Sequence, residues 1–245
     1  MGLNTDQWLL FLLSGFFIGM AKGGVKGLGM IAIPLMAEVF GGKSSTGIIL
    51  GILLVADFLA LPYFNKHTEW GYIRALLPGT LAGLISGMFL GNYLDDQLFQ
   101  QLIAGIILFS LVLMIIWERK PVDVGLLNHP IVVGIFGFLC GFTSMIGNAA
   151  GAILSVYMLA QRVPKNSFIG TQAGFFVVTN VLKIPVHLWY WKTIGAETLT
   201  MSLYSIPLVA LGVFSGIILI RYIPEKTFRY FILTITFLMA IRLLW

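Results

Sequence analysis

Two lysines inside a glycine-rich stretch of an apolar sequence are the residues most suited to chemistry. Lys22 and Lys26 lie among five glycines in residues 19–34, which read GMAKGGVKGLGMIAIP. An intramembrane lysine costs about 3 kcal/mol on insertion scales, so it indicates a functional site. Glycines break a membrane helix there, and the freed backbone groups need protein or a water-filled cavity around them. The pattern predicts a broken helix whose cations face an anion.

The glycines have a role of their own in this interpretation. Gly23, Gly24 and Gly27 would let the backbone approach a bound anion closely, because glycine adopts conformations closed to other residues. The alternative for Lys22 and Lys26 is that they extend to the membrane interface and bind no ligand.

A second break is predicted after the middle of the chain. Two short apolar runs, residues 131–143 and 149–160, flank residues 144–148. The donors offered there are neutral: Thr143, Ser144 and Asn148. The second helix of each pair would begin at the tip, where helix N-termini carry partial positive charge and free N–H groups that suit an anion. The hydroxyl groups could instead bond within their own helix.

Three further polar residues lie deep within predicted spans. Asp57 is near the centre of its span and is either a permanent salt-bridge partner for a lysine or a proton-coupling group. Asn180 and Lys183 are three residues apart and share a helix face, so both are assigned to the substrate site. Gln172 lies on the same span but is not assigned to it. The lysines and Asp57 sum to +2, which favours an anionic ligand.

Composition gives the class of protein. Of 245 residues, 58% are hydrophobic and 10% are charged, and the mean hydropathy is +0.95. Soluble domains carry about 25% charged residues, so the sequence predicts an all-α polytopic membrane protein in contact with the lipid bilayer. The net charge of +5 comes from loops and does not indicate a nucleic-acid partner.

The sequence lacks the motifs of several kinds of chemistry. The single cysteine, Cys140, argues against a metal site, and the phosphate-binding motif GxxxxGK[ST] is missing. A membrane-embedded enzyme would need a nucleophile, a catalytic pair or a metal cluster, and no convincing one is found. We therefore expect no enzyme, no cofactor and no catalytic residue.

The predicted architecture consists of two pairs of short helices and six full-length spans. The first pair comprises residues 8–21 and 28–40, each too short for the roughly 30 Å of a bilayer core. Each pair is interpreted as a helical hairpin followed by three transmembrane helices; two short tilted spans per pair are the alternative. The full-length spans are residues 47–64, 72–91, 98–117, 168–190, 199–221 and 227–244.

The two halves align in sequence, which predicts an internal duplication of residues 1–120 and 121–245 in one integrated transport domain. Such repeats are usual in secondary transporters. The matched pairs are Gly15–Gly137, Gly19–Gly141, Gly29–Gly151, Lys43–Lys165, Gly47–Gly170, Asp57–Asn180, Pro62–Pro185, Pro78–Pro207, Gly83–Gly212, Gly87–Gly216, Tyr93–Tyr222 and Phe99–Phe228.

Loop charges predict the orientation. If each short pair returns to its starting side, nine of twelve loop Lys and Arg residues fall on one side and three on the other. If each pair crosses once, the split is six to six and no bias remains. The positive-inside rule favours the first arrangement. It makes the two halves inverted repeats, places residues 118–130 and 161–167 in the cytoplasm and leaves both termini outside it.

The motifs also carry a family resemblance. Residues 19–34, the second-half stretch GFLCGFTSMIGNAAG and the segment TNVLKIP at residues 179–185 resemble the sulfite exporter TauE/SafE family of integral membrane permeases. The resemblance covers essentially the whole chain. Asn148 in GNAAG departs from the glycine cluster that many members show at the second tip.

The resemblance implies a secondary transporter, an exporter, in the cell (inner) membrane for a small sulfur-containing anion such as sulfite or an organosulfonate. The anion would bind between the two broken-helix tips, access would alternate, and transport could be coupled to protons through Asp57. An anion channel and an uptake permease for another small organic anion are the alternatives. A homo-oligomer is left open.

Overall fold

The computed structural model describes residues 4–25, 28–95, 97–99, 101–102, 105, 108–109, 112, 124–222, 224, 227, 230, 234 and 238. The regular elements of these residues are all helical. The long helices are α1 (Thr5–Lys22), α2 (Leu28–Phe40), α3 (Gly42–Phe64), α4 (Trp70–Leu90), α5 (Pro130–Gly147), α6 (Ala150–Ala160), α7 (Lys165–Pro185) and α8 (Ala196–Tyr222). Shorter helical turns are Asn65–His67, Val124–Leu127 and Val186–Tyr190, the last a π-helix.

Five described segments are long and apolar enough to cross a bilayer, as a multi-pass membrane protein requires. They are Gly42–His67, Trp70–Leu90, Pro130–Gly147, Lys165–Tyr190 and Ala196–Tyr222. The predicted spans 98–117 and 227–244 lie largely outside the described residues, and so does most of the loop 118–130.

Both predicted helix breaks are present. α1 ends at Lys22, and Gly24 follows with a φ of 118°, a conformation that L side chains rarely adopt. α5 ends at Gly147, and Asn148 caps it with left-handed backbone at φ 54°. Asparagine is one of the few residues that adopts this conformation readily, so it takes the place of the usual capping glycine.

The first helix of each pair is longer than predicted. α1 and α5 have 18 residues each, against the expected 8–21 and 131–143. In α5 the helix continues through the predicted tip because Met145 and Ile146 are fully buried, and their backbone groups must then be bonded within the helix. α5 is long enough to be a candidate span, whereas the sequence predicted two short helices in the second half.

Glycines let helices of opposite halves pack closely. A Cβ atom at Gly19 of α1 would overlap the carbonyl oxygen of Val209 in α8, and one at Gly23 would overlap that of Val213. The contacts advance in the same direction along both helices, so α1 and α8 run parallel. Small residues at such a contact are typical of membrane helix pairs.

The same arrangement recurs between α4 and α5. A Cβ atom at Gly79 would overlap the carbonyl oxygen of Gly134, and one at Gly83 would overlap that of Phe138. α4 and α5 therefore also run parallel. The glycine face of α1 is covered by α8 from the second half, and that of α5 is covered by α4 from the first half. The described helices therefore form one interlocked body.

α3 and α7, which the sequence alignment predicts to be equivalent, run antiparallel. Gly47, near the start of α3, packs on Thr193, which follows the end of the α7 segment. Gly170, near the start of α7, packs on His67, which follows the end of α3. The two helices meet where Asn180 of α7 donates a hydrogen bond to Asp57 of α3.

Candidate functional site

A cavity of about 90 Å³ lies between the two helix breaks. Residues of α1, α2, α3, α5, α6 and α7 line it, and most of them are apolar. Its polar lining residues include four that the sequence assigned to the site: Lys22, Ser144, Asn180 and Lys183, with Asn148 as a fifth at the second break. Side chains far apart in sequence thus meet at one internal space.

Lys22 and Asp57 form a buried ion pair at the edge of this cavity. Lys22 Nζ is 2.6 Å from Asp57 Oδ1, and the two residues are 6% and 2% exposed. Asn180 Nδ2 donates a 2.7 Å hydrogen bond to Asp57 Oδ2. Lys22 Nζ also lies 4.3 Å from the ring centroid of Phe176. The ammonium group therefore has a carboxylate and an aromatic face around it, as buried charges require.

The hydrogen-bond partners of Lys183 among the described residues are neutral. It is 1% exposed, and its Nζ donates to the carbonyl oxygen of Ser144 at 3.2 Å and to Asn148 Oδ1 at 2.5 Å. Within the described part of the chain no carboxylate lies at ion-pair distance from it. Since Ser144 O belongs to the last turn of α5, Lys183 binds the C-terminal end of that helix, where cations are stabilised.

The described charges at the cavity are therefore unbalanced. Lys22 and Lys183 carry two formal positive charges, and Asp57 carries one negative charge, so the sum is +1. An excess cation in a water-poor interior is costly unless a counter-ion completes the pair.

The second helix of the second pair presents its N-terminus to the same space. Ala149 precedes α6 and supplies no side-chain hydrogen bond to cap it, and both Ala149 and Gly151 line the cavity. Its first-turn N–H groups have no intrahelical partners, so they favour an anion. This end of the helix and the two lysines converge on one cavity.

Other predicted site residues occupy different places. Thr143 Oγ1 donates to the carbonyl oxygen of Leu139 at 2.8 Å, so it bonds within its own helix and does not line the cavity. Gly23 packs on α8 and Gly24 packs on the side chain of Ile220. In this structure Gly23 and Gly24 therefore allow close packing against α8.

Lys26 and Gly27 lie outside the described residues. Their predicted roles toward a substrate remain predictions, as does that of the N-terminus of α2. Asn148 contacts both α3 and α7: its Oδ1 accepts a hydrogen bond from Lys183, and its Nδ2 is 3.5 Å from the carbonyl oxygen of Thr46.

Gln172 and Phe176 line the cavity but were not assigned to the site from sequence. Gln172 Nε2 donates to Ser155 Oγ at 2.9 Å, while its buried Oε1 has no hydrogen-bond partner among the described residues. The helical period carries the signal that was missed: positions 172, 176, 180 and 183 recur every three or four residues and share one face of α7.

Metal-binding side chains do not gather in the described residues, where no three His, Cys, Asp or Glu side chains could hold an ion together. The arrangement is suited instead to holding a small anion by two ammonium groups, an amide and a helix N-terminus.

The family model described as Sulfite exporter TauE/SafE matches residues 11–243 of this chain. The match includes both helix breaks and every residue that lines the cavity. Searches of curated proteins and of solved structures each found no significant match.

Proposed function

Because the chain belongs to the TauE/SafE sulfite exporter family of membrane permeases, we propose that it is a secondary transporter that exports a small sulfur-containing anion such as sulfite or an organosulfonate. One observation carries the proposal: Lys183 is a buried cation at the cavity whose partners, Ser144 O and Asn148 Oδ1, are neutral. A bound anion would supply the missing negative charge.

The position of the cavity supports binding between the two breaks. Broken helices that place their ends at the middle of the membrane are the usual substrate site of transporters built from repeats. Lys22 ends α1, Lys183 binds the end of α5, and the uncapped N-terminus of α6 lies beside them. The anion would be held by groups from both halves. A movement of one half relative to the other would therefore change the side of the membrane from which the anion is accessible.

We also propose that the halves are inverted repeats. The antiparallel packing of α3 and α7 supports this, because Gly47 and Gly170 match in sequence and each packs beyond the end of the other helix. The matched residues Asp57 and Asn180 then lie near the pseudo-twofold axis. Alternating access would follow if the interlocked helices adopt two arrangements that this axis relates. Residues 161–167 would lie on the cytoplasmic side.

Asp57 is the proposed coupling residue. Its Oδ1 lies 2.6 Å from Lys22 Nζ, so the carboxylate would compete with a bound anion for the lysine. A proton delivered to Asp57 would neutralise the carboxylate and free Lys22 for the anion. This links proton and anion binding through one ion pair.

The test is anion binding to the purified protein, followed by counterflow of labelled anion in liposomes. We expect sulfite or a short organosulfonate to bind the wild type, and Lys183→Gln to lose that affinity while exposed Lys66→Gln keeps it. Counterflow stimulated by internal unlabelled anion would support a carrier. A flux without counterflow would instead indicate a channel, and wild-type binding by Lys183→Gln would refute the site.

A further inference from the structure

We infer that Gln172 and Ser155 select the protonation state of the anion, so that the cavity binds a singly charged form that still carries an O–H group. This inference rests on the proposed function and adds two specificity-determining residues to the same cavity. It distinguishes hydrogen sulfite from the doubly charged sulfite ion.

Gln172 provides a buried acceptor without a donor. Its side chain lines the cavity and is 0% exposed, and its Nε2 donates to Ser155 Oγ at 2.9 Å. Its Oε1 accepts no hydrogen bond within the described part of the chain. A buried acceptor that is left without a donor is costly, so this atom favours a ligand that brings a donor of its own.

Ser155 offers the complementary group. Its Oγ accepts the hydrogen bond from Gln172, so its own O–H group is still able to donate. The two side chains together provide one acceptor and one donor. A monoprotonated oxyanion matches both, because its O–H group can donate to Gln172 Oε1 while a charged oxygen accepts from Ser155. A fully deprotonated anion has acceptors alone and would place a lone pair against Oε1.

The charges around the cavity favour the same form. Lys22 on α1 and Lys183 on α7 line it, and Asp57 on α3 is paired with Lys22, so these groups sum to +1. The described lining residues from α2, α5 and α6 are uncharged. One negative charge balances that sum, whereas two would leave an excess charge in a water-poor interior. Such an anion would carry a proton across the membrane whether or not Asp57 titrates.

Titratable groups at the start of α7 are turned to other contacts. His67 packs on Gly170, and the backbone N–H of Glu69 donates to Thr171 Oγ1, but neither His67 nor Glu69 lines the cavity. The pH dependence of binding should therefore come from the ligand and from the three charged groups just named.

The experiment measures the calorimetric affinity of the purified full chain for sulfite and for methanesulfonate, below and above the pH at which hydrogen sulfite loses its proton. Methanesulfonate keeps one negative charge throughout and has no O–H group, so it reports any titration of the protein itself. Relative to methanesulfonate, we expect the affinity for sulfite to fall about tenfold per pH unit above that point, because the binding-competent fraction falls by that factor.

Gln172→Met tests the acceptor, since methionine has a similar length and no oxygen. At the lower pH it should weaken sulfite binding about fivefold, the equivalent of about 1 kcal/mol for one hydrogen bond, and should not weaken methanesulfonate binding. Gln161→Met is the matched control, because Gln161 is buried and donates to Asn128 but does not line the cavity. It should keep both affinities.

Ser155→Ala tests the donor. Sulfite and methanesulfonate both offer a charged oxygen to the Ser155 hydroxyl group, so we expect this variant to weaken both. The contrast between the two variants separates an acceptor that recognises the proton from a donor that recognises any anion.

Three results would overturn the inference while the proposed function stands. The first is a sulfite affinity that does not fall relative to methanesulfonate as the pH rises. The second is an equal effect of Gln172→Met on the two anions, and the third is a Ser155→Ala variant that keeps both affinities. If Gln172→Met does not elute as folded protein, the pH series on the wild type decides. If neither anion binds the wild type at any pH, the proposed function fails and the inference fails with it.

Discussion

Asp57 Oδ2 accepts a 2.7 Å hydrogen bond from Asn180 Nδ2, although these residues occupy the same position in the two halves of the sequence. In the inverted repeat proposed above, this contact places both residues near the axis that would relate the halves. The pair also marks where the halves differ in charge: the first carries a carboxylate that holds Lys22, and the second carries an amide.

Lys183→Gln should weaken anion binding about 10- to 150-fold, because a hydrogen bond to a charged group contributes about 1.5–3 kcal/mol. The shorter glutamine is neutral, so the empty protein should be as stable as the wild type or more stable, since a buried cation is removed. Lys183→Arg should not restore affinity, because the planar guanidinium needs different space. Calorimetry and a thermal melt in detergent measure both effects. Wild-type affinity would contradict the prediction.

Asp57→Asn should lower stability, because Lys22 would be left as a buried cation without its carboxylate. Transport should fall or lose its pH dependence. The double variant Asp57→Asn with Asn180→Asp returns a carboxylate to the pair from the other helix, so it should recover part of the lost stability. Melting temperatures and flux at several pH values test this. A double variant less stable than both single variants would argue against interchangeable positions.

Gly137→Ala should destabilise the protein by about 1–3 kcal/mol, because the added Cβ would overlap the carbonyl oxygen of Leu76 in α4. Gly134→Ala is the matched control on the same helix, since nothing lies within 4 Å of its added Cβ. It should melt at the wild-type temperature or above. Equal losses in the two variants would show that the close contact of α4 and α5 does not matter.

The orientation can be tested by cysteine labelling in a Cys140→Ala background. Asn65 is exposed beside Lys66, and Tyr93 is 83% exposed near Asp95. We expect an impermeant reagent to label Tyr93→Cys in intact cells and to label Asn65→Cys only after the membrane is opened, because basic loops stay in the cytoplasm. The opposite pattern would reverse the assignment of sides, and labelling of both from outside would show that α4, which lies between them, does not cross the membrane.

Local signals predicted most of the helices. The run 28–40 coincides with α2, Leu28–Phe40, and both breaks lie where glycine or asparagine allows unusual backbone. The ends of α5 were misjudged because Ser144 and Gly147 resemble loop residues. Burial of Met145 and Ile146 decides that they stay helical, and burial depends on the rest of the fold.

The sequence named several of the residues that the structure brings to the cavity, but not their pairings. Depth in an apolar span singled out Lys22, Asp57 and Lys183, and a salt bridge between Lys22 and Asp57 was one of two interpretations. That Lys183 would bind the end of α5 could not be foreseen, because it depends on how α5 and α7 meet. Gln172 was missed although its helical spacing from Asn180 was visible.

The exchange of helix partners between the halves has a consequence for the order of synthesis. Residues 91–129 separate α4 from α5, so these two helices can pair earlier than α1 and α8, which residues 23–195 separate. α1 is made first, yet its glycine face is covered by α8, which begins only at Ala196. Distant contacts form late because the intervening chain must first be closed into a loop. A ribosome must therefore synthesise α8 before α1 meets its partner, and a chain cut short before Ala196 would leave the glycine face of α1 exposed to lipid.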